Sequence, residues 1–275
     1  MVFLTLFILI LFSPAEANLH PVRSNKSLYE FGVVGGAGFV PDYPASDQGR
    51  MRYLAFPLFR YRGMRLRSDE EDNLKARLFL NPLYGIDFSG SGAFSANSDD
   101  NEARKGMKDL DWMGEIGPRF YVFLMKTDKL WIRFFLPLRM AFSTDLLSTT
   151  YQGLVLAPSL STRYYFDESK FNSVILNVTR THTTHQVQEF YFEVQNKDAT
   201  ADRPRYDARS GYMGTSAALA YIFEKDKLGL VGGISVTSYK GSANAGSPLH
   251  RSDFNGAAFV GFSYLFSQSE ERGYQ

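Results

Sequence analysis

Lys129-Leu-Trp-Ile-Arg-Phe-Phe-Leu-Pro-Leu-Arg-Met-Ala-Phe142 decides the fold. Every even position is apolar: Leu130, Ile132, Phe134, Leu136, Leu138, Met140 and Phe142. The odd positions include Lys129, Arg133 and Arg139. Successive side chains of a strand point to opposite faces, so this segment reads as a strand with one greasy face and one face carrying guanidinium groups.

The neighbouring segments repeat the arrangement. In Gly114 to Leu124 the even face is Ile116, Pro118, Phe120, Val122 and Leu124, and the odd face holds Glu115 and Arg119. Phe254 to Phe266 alternates most clearly, with aromatic residues at both ends, as the interfacial girdles of a membrane barrel require. The full series of expected strands is Tyr29 to Val40, Met51 to Arg62, Asn73 to Leu80, Tyr84 to Ala96, Asp111 to Leu124, Lys129 to Phe142, Tyr151 to Phe166, Lys170 to Arg180, Val187 to Gln195, Gly211 to Phe223, Asp226 to Lys240 and Asp253 to Phe266. That is about twelve strands, with ten as the alternative. Most exceed the roughly 5–6 residues of a soluble strand and match the roughly 9–11 of a tilted spanning strand. Long polar loops alternate with short turns such as Lys126-Thr127-Asp128, the outer-membrane pattern.

The expected fold is therefore all-β: a closed antiparallel transmembrane β-barrel. Closure follows from the solvent, because lipid offers no partner for an unpaired backbone N–H or C=O. The apolar faces would meet lipid. Glu115, Arg119, Arg133 and Arg139 would face the lumen. A soluble sandwich or lipocalin-like barrel would reverse these faces; strand length, aromatic ends and export favour the membrane.

Export is read from the amino end. Val2 to Phe12 is apolar apart from Thr5, Ser13-Pro14 breaks the run, and Ala15-Glu16-Ala17 fits a signal peptidase site. Residues 1–17 are expected to be a cleaved signal peptide, although no Lys or Arg precedes the run. Residues 18–275 would form one barrel domain ending in a polar tail, 267–275. The chain has no cysteine, which excludes a lipoprotein anchor and structural disulfides. Its formal net charge of +1 leaves no basic footprint for nucleic acid. With 24 Phe, 16 Tyr and 23 Gly in 275 residues, the apolar content is aromatic and dispersed, which suits strands.

Gly35-Gly36-Ala37-Gly38-Phe39-Val40-Pro41-Asp42-Tyr43-Pro44-Ala45-Ser46-Asp47 is followed by Phe56-Pro57 and Tyr61-Arg62-Gly63. This order resembles the MltA-interacting protein family, also called MipA/OmpV. Further matches keep the order: Glu115-Ile116-Gly117-Pro118, Tyr191-Phe192, Tyr206 with Gly211, Ser247-Pro248, and Gly261 to Phe266. The resemblance covers nearly all of the chain after the leader. Ala45 departs from the family's usual Gly, as does Glu193, and the chain continues past Phe266 where many members end. The resemblance implies an outer-membrane protein of Gram-negative bacteria. It implies a non-enzymatic scaffold linking a lytic transglycosylase to a peptidoglycan synthase, a surface adhesin being another role described in the family. It also implies assembly by the barrel-assembly machinery, and contact with outer-membrane lipid. A narrow channel for small solutes is the alternative function, and an outer-membrane hydrolase ranks below both.

Other chemistry is weakly supported. His182 and His185 sit three apart at a strand end, where odd spacing would separate them; no metal or cofactor is expected. His20 and His250 are the other histidines, and neither lies mid-strand on an apolar face. Asp69 to Asp72 and Asp99 to Lys108 read as solvated loops. Asp42, Tyr43, Pro44, Ser46 and Asp47 read first as turn chemistry, with Pro fixing φ and Asp and Ser bonding nearby backbone. A recognition loop is the functional alternative.

Overall fold

A computed structural model describes residues 23–63, 66–68, 75–76, 81 and 83–274. The strands are β1 (Arg23–Ser27), β2 (Tyr29–Pro41), β3 (Gly49–Arg62), β4 (Leu66–Ser68), β5 (Lys75–Ala76), β6 (Tyr84–Ala93), β7 (Trp112–Lys126), β8 (Leu130–Thr144), β9 (Thr149–Leu156), β10 (Ser159–Tyr165), β11 (Asn172–Thr183), β12 (Gly211–Lys225), β13 (Leu228–Ser238), β14 (Phe254–Gln268) and β15 (Arg272–Tyr274). Among the described residues one α-helix, α1 (His185–Phe192), interrupts the series.

Among the described residues thirteen strands form one antiparallel sheet in the order β5-β4-β3-β2-β14-β13-β12-β11-β10-β8-β7-β6, with β9 pairing β8 and β11 beside β10. β9 and β10 are one strand broken at Ala157-Pro158; proline has no N–H for the ladder, so the pairing stops there. The sheet curls until its ends approach. Arg52 on β3 donates from Nη2 to the Ser95 carbonyl, just after β6, at 2.9 Å.

Burial settles which face is which. On β8 the apolar residues Leu136, Leu138 and Met140 are exposed, Leu138 at 47%, while Arg133 is 6% exposed. Phe254, Val260, Phe262, Tyr264 and Phe266 stand exposed along β14. A water-soluble sheet protein would bury these faces. The period-two pattern thus carries its apolar side outward and its charged side inward.

Two expectations need correction. Val187 to Gln195 is no strand. Its aromatic content favours β structure, but Val187, Gln188, Tyr191 and Phe192 are the buried residues, a helical spacing that presents one stripe to neighbouring loops. Tertiary burial outweighs propensity here. The Asp99 to Lys108 run is solvated at Asp99, Asp100, Glu102, Lys105 and Lys108 but needs a partial correction: Asn101 and Arg104 are buried, at two short 3-10 turns, Ser98–Asp100 and Glu102–Arg104. Of the expected strand Asn73 to Leu80, only Lys75–Ala76 is described, paired to β4. The signal peptide, His20 and the Asp69 to Asp72 run lie outside the described residues. The polar tail is partly structured: β14 runs on to Gln268, and β15 pairs antiparallel with β1.

Alternate connections of an antiparallel meander share an end. Segments 42–48, 94–111, 145–148, 184–210 and 239–253 therefore emerge together, and the short turns 127–129, 166–171 and 226–227 lie opposite. Four of the long segments fold onto one another. Their Tyr43, Ala45, Leu110, Val187, Phe192, Val194, Ala208 and Leu249 make up half of a buried apolar cluster that also includes Ala141 and Val155 of the sheet. Full burial of each large member is worth roughly 1.5–3 kcal/mol. The core sits in this cap and not between two layers.

Candidate functional site

The turn at residues 42–48 is the centre of the cap. Asp42 is buried and receives Arg50 twice, Nε at 2.6 Å and Nη2 at 2.8 Å. Asn101 Nδ2 donates to it at 3.0 Å and to Ser46 Oγ at 3.2 Å. Burial by itself would raise the Asp42 carboxyl, but the bonds from Arg50 and Asn101 outweigh it and hold it below its usual value. Tyr43 donates to the Leu249 carbonyl at 2.9 Å, and burial pushes its phenol up to about 12. Pro44 faces the cavity beneath the cap. Asp47, half-exposed, meets Arg251 at 3.5 Å.

Ala45 adopts φ 64° and is 0% exposed. Its N–H donates to Asn255 Oδ1 at 3.0 Å. Its carbonyl accepts the N–H groups of Arg251 and Ser252 at 2.8 and 2.9 Å. The left-handed backbone explains why glycine suits this position.

Two further hubs complete the cap. Arg104 donates to the Tyr191 carbonyl at 3.2 Å and lies 5.6 Å from the Tyr43 ring centroid; burial lowers its guanidinium to about 10. Asn244, fully buried, donates to Gln188 Oε1 and the Arg209 carbonyl, both at 2.8 Å. Its Oδ1 accepts from Arg209 N at 2.8 Å and Tyr206 Oη at 3.2 Å. Neither residue stood out in the sequence, because their partners come from other loops.

The four charges singled out by alternation all lie on the inward face, but paired or packed. Glu115 Oε2 is 3.1 Å from Arg139 Nε. Arg119 grips Asp87 with two bonds, 2.8 and 2.7 Å, and lies 4.4 Å from the Phe135 ring centroid. Arg133 is 5.0 Å from the same Phe135 centroid and 5.5 Å from that of Phe123. Sequence reading missed Asp87, which stands directly opposite Arg119 in the ladder, and Glu30, which binds Arg62 at 2.9 Å. Both sit at inward positions of their strands, a signal that needs the register to be read.

Beneath the cap lies a cavity of about 440 Å³. Its wall includes Glu115, Arg119 and Arg139, and Val187 and Tyr191 of α1 border it together with Pro44. The three described histidines do not converge. His182 accepts from Arg180 at 3.2 Å, whereas His185 faces Glu189, one helical turn on, at 3.4 Å. His250 sits by Asp253 at 3.1 Å.

An antiparallel sheet that is apolar outside and charged inside, capped at the end with the long loops, is that of an outer-membrane β-protein. The chain belongs to the family described as MltA-interacting protein MipA, whose model matches residues 33–266. It is a non-catalytic protein of the Gram-negative outer membrane. No curated protein matches the sequence. Among solved structures, an outer membrane channel from Pseudomonas putida F1 matches with 12% identity and a TM-score of 0.48, covering 92% of this chain and 99% of that one. A bacterial polysaccharide outer membrane secretin matches with 10% identity and a TM-score of 0.41, over 89% and 100%. The outer membrane protease OmpT from Escherichia coli matches with 8% identity and a TM-score of 0.33, over 88% and 97%.

Proposed function

We propose that this protein is a closed, capped barrel that serves as a structural scaffold of the outer membrane. In this reading residues 1–17 are removed on export, and residues 18–275 are inserted by the barrel-assembly machinery. The approach of Arg52 on β3 to Ser95 beyond β6 supports closure of the sheet between its two ends. The long loops face outward and the short turns face the periplasm, as in outer-membrane barrels generally.

The observation that carries the scaffold role is the pairing of the interior charges. The inward guanidinium groups are held by carboxylates and rings, and a cap with its own apolar core covers one end. A wall of that kind supports anchoring more than conduction. The family's name supports a lytic transglycosylase as partner, with a peptidoglycan synthase on the same scaffold. Glu115, Arg119, Arg133 and Arg139 then act as interior struts, and Asp42, Tyr43, Pro44, Ser46 and Asp47 as the centre of the cap.

Co-purification from crosslinked, solubilised envelopes tests the partner. A lytic transglycosylase retained by this chain is the expected result, and its absence after crosslinking counts against the reading. Planar-bilayer recording tests the interior. Stable unitary currents from the purified protein, altered by charge reversal at Arg139, would replace the scaffold with a small-solute channel.

A further inference from the structure

We infer that the cavity beneath the cap binds a small, neutral, polyhydroxylated solute of the sugar or sugar-alcohol class. The site is separate from the scaffolding role, which needs no ligand in the cavity. At about 440 Å³ the cavity lies within the roughly 300–1,000 Å³ range of small-molecule sites. It is more than ten times the ~30 Å³ share of one water molecule.

The wall is rich in hydroxyl groups. Ser89 and Ser91 of β6, Ser159 of β10, Thr179, Thr181 and Thr183 of β11 and Ser216 of β12 all line it. Ser89 Oγ and Thr183 Oγ1 are buried and make no hydrogen bond to protein. Glu115 Oε2 and Arg139 Nε lie close as an ion pair, yet neither makes an aligned hydrogen bond. Buried polar groups are nearly always satisfied. Those four atoms have no accessible surface and cannot meet an occupant themselves; the hydroxyl-bearing wall residues that keep surface open, Ser91, Ser159, Thr179, Thr181 and Ser216, offer an occupant both donors and acceptors.

Charge selects the class. Arg139 is set against Glu115 and Arg119 against Asp87, so these groups bring no net charge to the wall. An amino-acid zwitterion or a phosphate would have to break one of these pairs, which carries a penalty of several kcal/mol for a buried pair. A hydroxyl ligand breaks neither. It matches serine and threonine, each a donor and an acceptor. Val187, Pro44 and Pro137 offer apolar surface to the C–H faces of such a ligand.

Isothermal titration of the full-length mature protein in detergent micelles tests the site, with maltose and sorbitol as probes and glycine and inorganic phosphate as controls. Saturable binding of maltose or sorbitol is expected, with none of glycine or phosphate. The double variant Thr179→Val, Thr181→Val removes two wall hydroxyls at nearly constant volume and should weaken binding at least tenfold. Near-ultraviolet circular dichroism of the cap tyrosines should be unchanged in it. Where that variant does not fold, Ser216→Ala takes its place, with the same direction of change. No binding of either probe at tens of millimolar overturns the inference and leaves a cavity that holds water alone. Binding untouched by the variants, or glycine binding as tightly as maltose, overturns it equally.

Discussion

Ala45 offers the sharpest test of the cap, because a left-handed backbone and complete burial act on it together. A Cβ in this conformation costs roughly 1–2 kcal/mol. Ala45→Gly removes that strain, but glycine gives back roughly 0.5–1 kcal/mol through the freedom of the unfolded chain. It also loses one buried methyl group, worth about 0.8 kcal/mol. The terms nearly cancel, so Ala45→Gly should leave the cap within about 1 kcal/mol of the parent. Ala45→Val adds two methyl groups at a fully buried position. Overpacking costs typically 1–3 kcal/mol, and a β-branched residue at positive φ adds strain. The expected loss is about 2–4 kcal/mol. At 1.4 kcal/mol per factor of ten, opening of the cap becomes roughly 30- to 700-fold more frequent. The amides of Arg251 and Ser252 report it directly, since both donate to the Ala45 carbonyl. Their hydrogen exchange should be near the parent rate in the glycine variant and faster by that factor in the valine variant. Equal exchange in the valine variant and the parent would refute the reasoning. So would a glycine variant that opens as readily as the valine one.

Acid should loosen the same cap. The Asp42 carboxyl is held below its unfolded value of 3.8, so the unfolded chain binds more protons as pH falls. The contribution of Asp42 is then fully present above about pH 4 and is lost as pH drops through the lower folded value. The near-ultraviolet circular dichroism of the cap tyrosines should hold at pH 5 and decline below pH 4, and Asp42→Asn should blunt that decline. Asn244→Ala leaves Gln188 Oε1 and both backbone groups of Arg209 without this partner; a loss of about 2–4 kcal/mol follows from unsatisfied buried groups, read as a fall in the denaturant midpoint of the cap. Gly117→Ala would drive a Cβ into the Leu138 carbonyl on the facing strand, so β7 and β8 could not keep their pairing, and the yield of folded protein in outer membranes should collapse.

The sheet was legible in the sequence because alternation is local: Leu130 to Phe142 declares its two faces with no help from the rest of the chain. The polarity of those faces followed from length and export, and the exposure of Leu138 beside buried Arg133 agrees with it. The cap was not legible. Val187, Tyr191 and Phe192 meet Leu110, Ala45 and Leu249 from three other loops, so no window around α1 contains the reason for its helix. Asn101 and Arg104 look like members of a charged loop until Asp42, Ser46 and Tyr191 are brought to them. One clue was present in the motif itself. Ala45 stands where the motif it resembles has glycine, and the steric demand there is a positive φ.

The inward charges show why alternation names candidates and cannot assign their roles. A guanidinium lining a wet pore keeps its hydration. One buried in protein must recover that energy from carboxylates, carbonyls or rings. Arg119 recovers it from Asp87 and Phe135, and Arg62 from Glu30 and the Ser27 carbonyl. Arg133 lies within 6 Å of the centroids of Phe123, Trp131 and Phe135. Trp131 in turn packs edge-on to Tyr165, 5.2 Å between centroids, and Arg163 lies 4.8 Å from that ring. The inward face of β7, β8 and β10 is thus a continuous column of rings and guanidinium groups. Such a column stiffens the wall across its width, which a scaffold needs. It also commits these charges to partners in the wall and not to a passing solute, so the interior charges favour anchoring for the same physical reason that they are buried.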